Sequence, residues 1–246
     1  MKDSISKIKI GLDDIGPINF KRSLRARHLN IRIKPYKGVE VSVPVGMSLS
    51  SAQRFVSQKR DWIVRNLQKV RQHEAEPVIY DGTRAIRTRW HRLRVQTSPR
   101  AGVTSKISKD EIVVRYPAQW QVTALEVQTA IRAGIIEAYR QEAKHLLPDR
   151  VACLAKQHGF IYNRVAIKNH RSRWGSCSAK NNINLSLHLM RLPDGLVDYV
   201  ILHELVHTEV KNHSPAFWRR LGEVCPAAQI WRKEIRVKAK TLTPLN

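Results

Sequence analysis

Residues 195–209 read GLVDYVILHELVHTE, and the pattern of that stretch decides how the rest of the chain is read. Leu196, Val197, Val200, Ile201 and Leu205 recur at spacings of three and four, the period of a helix facing a core. Pro193-Asp194 leads into it, so the pattern predicts a helix over roughly Gly195 to Glu209. Inside it stands His203-Glu204-Leu205-Val206-His207. Four residues at about 100° each return the second imidazole to within about 40° of the first, about 6 Å along the axis. Two imidazoles so placed can share one cation. Glu204, turned by about 100° from His203, flanks that cation with a carboxylate suited to taking a proton from water. With ten His and eleven Glu in the chain, random order yields roughly 0.02 such patterns, so coincidence explains it poorly.

A hydrolytic metal site usually has three protein ligands and one open position. His213 is the leading third ligand. It follows His203 by ten residues, Lys211-Asn212 can turn the chain, and Ser214-Pro215 has the form of an N-cap and a first helical position. Glu209, Glu223 and Glu234 are rivals, with Glu223 foremost because it sits on a helix predicted over Pro215 to Val224. The structural alternative is a pair of histidines on a buried helix face, satisfied by hydrogen bonds. Ahead of the helix, Val165 and Ile167 mark a short strand and Asn169 to Asn181 a polar turn. Ile183, Leu185 and Leu187 alternate with polar residues, so the segment reads as a hairpin.

Arg173-Trp174-Gly175-Ser176-Cys177-Ser178, Asp198 to His207, and Asn212-His213-Ser214-Pro215-Ala216-Phe217-Trp218 together resemble the YgjP-like metallopeptidases, relatives of the SprT-like and WLM zinc proteases. The likeness runs over nearly the whole chain and is densest between Arg171 and Trp218. It implies an α+β, zincin-like metallopeptidase domain with Zn2+ on His203, His207 and His213, Glu204 as general base, and a peptide or protein substrate. Pro226-Ala227 departs from the Pro-Asp pair usual in the family. The histidine spacing also matches the metzincin pattern, but Val210 stands where that pattern needs glycine. In a zincin-like fold the strand before the metal-binding helix lies along the cleft. Asn184 to Leu189 and Trp174-Gly175-Ser176 are candidates for an edge to which an extended peptide adds. Arg173 is a candidate oxyanion donor, against a purely structural turn.

The first half of the chain carries the charge. Residues 1–120 hold 25 Lys+Arg against 10 Asp+Glu, an excess of +15 within a total of +24. Dense patches occur at Lys21, Arg22, Arg25, Arg27 and at Arg84, Arg87, Arg89, Arg92, Arg94. Such surfaces attract phosphate backbones without reading sequence, so nucleic acid is a candidate partner of this basic β-rich N-terminal region, alongside anionic lipids, acidic proteins and a merely solvated face. Leu29, Ile31, Ile33 and Val39, Val41, Val43 alternate about a Lys37-Gly38 turn as a hairpin. A helical period then runs from Ser50 to near Gln72, and His73 to Pro77 reads as a linker. Beyond an Asp81-Gly82 turn, Trp90 to Val95 is strand-like, and Thr104 to Ser108 and Glu111 to Arg115 form a second hairpin. Thr123 and Glu126 have capping-box spacing before a helix to about Leu147, and Pro148 and Gly159 bracket a shorter one. Three regions are expected: a hairpin-plus-helix region 1–76, a hairpin region 77–120, and the zincin-like domain 121–246.

No stretch approaches the roughly 18 apolar residues of a membrane span, and the segment from Met1 lacks a secretory apolar core, so the expectation is a cytoplasmic protein without membrane attachment. Cys153, Cys177 and Cys225 are odd in number and far apart, which reads as small buried residues rather than disulfides or a cysteine metal site. Three functions fit the sequence: a zinc-dependent metallopeptidase, a basic nucleic-acid-associated protein with a structural metal, and a protease recruited to DNA.

Overall fold

The computed structural model describes residues 7–12, 15–34, 38–72, 78–81, 85–170, 172–242 and 245. The Lys37 side of the first turn, the His73–Pro77 linker, Gly82, Arg84 and Arg171 lie outside them. The fold is mixed α/β, with small sheets and six helices among the described residues, and it divides into Met1–Val78 and Ile79–Asn246.

In the N-terminal unit, β1 (Lys7–Leu12), β2 (Gly16–Ser23), β3 (Asn30–Lys34) and β4 (Gly38–Pro44) form a sheet of order β1-β2-β4-β3. The β3–β4 pair is the antiparallel hairpin expected from its alternation, while β2 runs parallel to β4. Ile18, Phe20, Val39, Val41 and Val43 are buried on one face with Ala52, Val56, Ile63 and Leu67 from the helices. The helical period from Ser50 to Gln72 proves to be two helices, α1 (Leu49–Gln58) and α2 (Arg60–Gln72). They part at Lys59, whose N–H donates to the carbonyls of Phe55 and Val56 at 3.1 Å. Burial resumes at Ile63, seven residues after Val56, so the apolar phase survives the break and hides it from a periodicity reading.

In the second unit, β5 (Arg92–Ser98), β6 (Thr104–Ile107) and β7 (Glu111–Pro117) form a sheet in which β7 lies between a parallel β5 and an antiparallel β6. The following helix, α3 (Leu125–His158), is continuous for 34 residues and passes through Pro148. Proline removes one helical donor, yet Ala143, Leu147, Val151 and Leu154 are all buried in a single core, and that packing holds the helix across the lost bond. The foreseen capping box is absent: Ala124 is the N-cap, without a side-chain bond, and Thr123 donates instead to Gln121. Gly159 ends the helix in the left-handed region at φ 75°.

The segment read as a hairpin contains a third strand. β8 (Arg164–Lys168) and β10 (Asn182–Ser186) are parallel, and β9 (Gly175–Cys177) pairs antiparallel with β10 from within the polar stretch, giving the order β8-β10-β9. Asn184 is therefore on the central strand, and Gly175-Ser176 is on the outer one. Leu187 leaves the strand for a short 3-10 helix, Leu187–Arg191. Then come α4 (Asp194–Glu209), α5 (Pro215–Val224) and α6 (Ala228–Thr241). No helix among the described residues is long and apolar enough to cross a membrane.

Arg89, one of the residues in the second basic patch, is turned inward. Glu142 of α3, fully buried, accepts from the backbone N–H of Trp90 at 3.0 Å and Arg89 at 3.3 Å, contacts His91 Nδ1 at 2.8 Å, and takes a short bond from the Thr88 hydroxyl. The loop so fixed sends the Arg89 guanidinium to the carbonyls of Met190 and Leu192 and to Asp194, the residues that launch α4. Arg150 of α3 adds a bidentate pair to Asp198 of α4. Of the cysteines only Cys225 is buried; Cys177 is half-buried and Cys153 exposed, because Cys153 falls off the apolar stripe of α3. Replacing Glu142 by Ala strands several buried donors and is expected to cost about 3 kcal/mol or more, with Glu142→Gln costing less, both read from urea unfolding midpoints.

Candidate metal centre

Helix α4 is buried on nearly every side, with Leu196, Val197, Tyr199, Val200, Ile201, Leu202, Leu205 and Val206 all inaccessible. It is therefore a central helix rather than a surface helix with one apolar stripe. His203 and His207 lie one turn apart on it, and after Val210 the backbone becomes extended and brings His213 back toward them. The returning loop is anchored. Lys211 Nζ donates to the Ser178 carbonyl at 3.4 Å and makes a short bond to the Asn181 side chain, while Ser214 N–H donates to the Asn212 side chain at 3.2 Å.

The donor nitrogens of His203, His207 and His213 all fall within 4.8 Å of one another, the sole metal-type cluster of three among the described residues. His213 Nε2 is 3.0 Å from His203 Nε2 and 3.2 Å from His207 Nε2. Ligand bonds of 2.0–2.1 Å in a tetrahedral shell separate nitrogens by roughly 3.3 Å, so the spacing fits a metal ion. His207 Nδ1 lies 2.9 Å from the Val210 carbonyl, which can only accept. The ring proton therefore sits on Nδ1, and Nε2 presents a lone pair to the cluster. One proton on His213 Nε2 can satisfy only one of its two neighbours, whereas a cation satisfies all three. Burial, with the neighbouring His207 and His213, lowers the His203 pKa to about 3, which keeps that ring neutral and able to donate.

The buried carboxyl of Glu204 lies against β9, and a Cβ on Gly175 would come within 2.7 Å of its Cγ and Oε1. A side chain at position 175 would push the Glu204 carboxyl aside. Burial pushes the Glu204 pKa up to about 8, against the pull of the Arg173 guanidinium and a hydrogen bond from the Cys177 backbone. A carboxyl poised in that range can exchange protons near neutrality.

Phe217, fully buried on α5, is a floor beneath the cluster, its ring centroid 4.9, 4.5 and 4.8 Å from those of His203, His207 and His213. Trp218 stacks on His213 at 5.7 Å and donates its indole N–H to the His213 carbonyl, while the Arg232 guanidinium covers its ring at 4.1 Å. The roles of Phe217, Trp218 and Arg232 escaped sequence reasoning; the first two had only their place in the quoted segments as a signal and Arg232 had none, while Gly175 was legible as part of a candidate peptide edge but not as the neighbour of Glu204. The rival carboxylates lie elsewhere. Glu209 and Glu223 bond Arg220, and Glu234 is not part of the cluster.

The profile of the YgjP-like metallopeptidase domain matches residues 27–238. Two solved structures are similar to parts of the chain. One is the metallopeptidase zymogen jannalysin of Methanocaldococcus jannaschii, with 23% identity, 37% of this chain and 93% of that chain covered, and a TM-score of 0.33. The other is the metallopeptidase zymogen abylysin of Pyrococcus abyssi, with 26% identity, 38% and 92% covered, and a TM-score of 0.33. No curated protein matches the chain significantly.

Truncating Phe217 removes the floor from under three rings at once. Phe217→Ala is expected to lower stability by about 3–5 kcal/mol in urea unfolding, and Phe217→Leu by clearly less.

Proposed function

The chain belongs to the YgjP-like metallopeptidase family, and we propose that it is a zinc-dependent peptidase in which His203, His207 and His213 hold the metal and Glu204 is the general base. The observation that carries this reading is the convergence of three imidazole nitrogens beside a buried carboxyl, on elements that leave no second cluster of that kind among the described residues. Zn2+, when bound, supplies Lewis-acid polarisation of a water and of the scissile carbonyl. Burial keeps the His203 and His207 rings neutral, and the Val210 carbonyl fixes the tautomer of His207. Glu204 accepts a proton from the attacking water and returns it to the departing amine nitrogen. The peptidase region, in this reading, is the zincin-like stretch 121–246.

The substrate is a peptide or protein chain in extended form. β9 is the outer strand of its sheet and presents Gly175 directly beside Glu204, so a peptide paired with the backbone there carries a scissile bond toward the carboxyl. Arg173, two residues before Gly175, acts on Glu204 through its charge, and this supports a role in tuning the base.

Chelation is expected to abolish hydrolysis of a casein or peptide substrate, with activity returning on addition of Zn2+. Chelator-resistant hydrolysis would refute the reading. Glu204→Gln is expected to retain metal by elemental analysis and lose at least about 100-fold in kcat, whereas His203→Ala loses the metal as well. Gly175→Ala forces the Glu204 carboxyl aside and is expected to lower kcat with metal content unchanged. A Glu204→Gln variant that cleaves normally would remove the glutamate from its role.

A further inference from the structure

We propose that the open face of the N-terminal sheet binds double-stranded nucleic acid through its phosphate backbones, independently of base sequence and of the peptidase reaction. Helices α1 and α2 cover the apolar face; the strand register fixes what lies on the other. Aligned across the four strands are the rows Lys7–Lys21–Ser42–Asn30 and Lys9–Asn19–Glu40–Arg32, and Lys34 pairs with Gly38 at the next position. On the strands whose side chains are described, these positions carry Lys21 and Arg32 against one acid, Glu40. Lys21, Asn30 and Arg32 are exposed, and Asn19 and Ser42 are partly so. The β2–β3 loop extends the surface with exposed Arg25, Arg27 and His28.

The form of this surface selects its partner. Rows along a strand are spaced about 6.6 Å and neighbouring strands about 4.8 Å, so cations at these positions are spread over the sheet rather than gathered round a pocket. A single phosphate or carboxylate finds no enclosure there, but a polymer of regularly repeated charge meets several cations at once. Asparagine, serine and arginine side chains interleaved with lysine are the donors that contact phosphate and sugar. Among the described residues the rows hold no aromatic ring on which an unpaired base could stack, which favours the duplex over the single strand. They hold no apolar residue to insert among lipid tails either, and Leu24 in the adjoining loop is a lone exposed aliphatic side chain.

The test is fluorescence anisotropy of the full chain with a labelled, mixed-sequence DNA duplex of roughly 20 base pairs across a range of salt. Wild type and Glu204→Gln are expected to bind alike, which separates this inference from the peptidase reading. The double variant Lys21→Ala/Arg32→Ala is expected to bind about tenfold or more weakly, with the slope of log K against log salt shallower by about two. Arg25→Ala/Arg27→Ala, which alters a loop and no strand, is expected to weaken binding likewise. Lys106→Ala/Arg115→Ala removes the same charge from the β6–β7 pair of the other unit and is expected to leave binding unchanged. Equal losses in that control, unaltered binding in both N-terminal variants, or no duplex binding at low salt would overturn the proposal. So would tighter binding of the single strand, or binding to phosphatidylserine vesicles or polyglutamate but not to duplex.

Discussion

A carboxyl kept out of water, on the same helix as two of three converging imidazoles, is the constraint to which the second unit is fitted. Glu204 must be buried for its proton affinity to rise, yet in the proposed reaction it must border a space that water and substrate enter. The solution places it between a helix closed on nearly all sides and the outer strand of a three-stranded sheet. Gly175 is the meeting point, because the volume a side chain would fill is taken by the carboxyl itself. The imidazoles are governed by a second contact, the ring of Phe217, which touches all three at nearly equal distance. Position of the Glu204 carboxyl and position of the imidazoles thus rest on two different neighbours, one strand and one helix, which meet through α4.

What holds α4 in turn is α3. Its second half packs in the same core as α4 and β10, Arg150 grips Asp198, and Glu142 secures the loop that delivers Arg89 to the residues where α4 begins. Glu142 is fully buried and costly to leave unpartnered, whereas the more exposed pair of Arg150 and Asp198 contributes less. The result is a helix whose start is clamped by hydrogen bonds and whose flanks are held by aliphatic packing.

The parts of this arrangement that the sequence made legible are those set by local geometry. Four residues on a helix return to one face whatever surrounds them, so His203, His207 and the flanking Glu204 could be placed from spacing, and Ser214-Pro215 located the turn that brings His213 back. Long-range contacts left no such trace. Alternation at Val165–Ile167 and Ile183–Leu185 identified two strands but not their direction, because period two is the same in parallel and antiparallel ladders. β9, three residues long and polar, shows no alternation and reads as a turn, although its Gly175-Ser176 belongs to the candidate peptide edge. The break at Lys59 was hidden because the apolar phase continues beyond it, and the continuity through Pro148 because packing outweighed a local preference.

The length of α3 also has a consequence for how the chain can be divided. Val127, Ile131, Ile135 and Ala138, in its first half, are shielded by Ile112 and Val114 of β7, while Leu147, Val151 and Leu154 further on belong to the core around α4. A fragment beginning at the helix would carry the histidines intact but leave the first of those stripes bare to water. Such a fragment would be adhesive, recruiting other copies of itself through a surface that the whole protein keeps hidden.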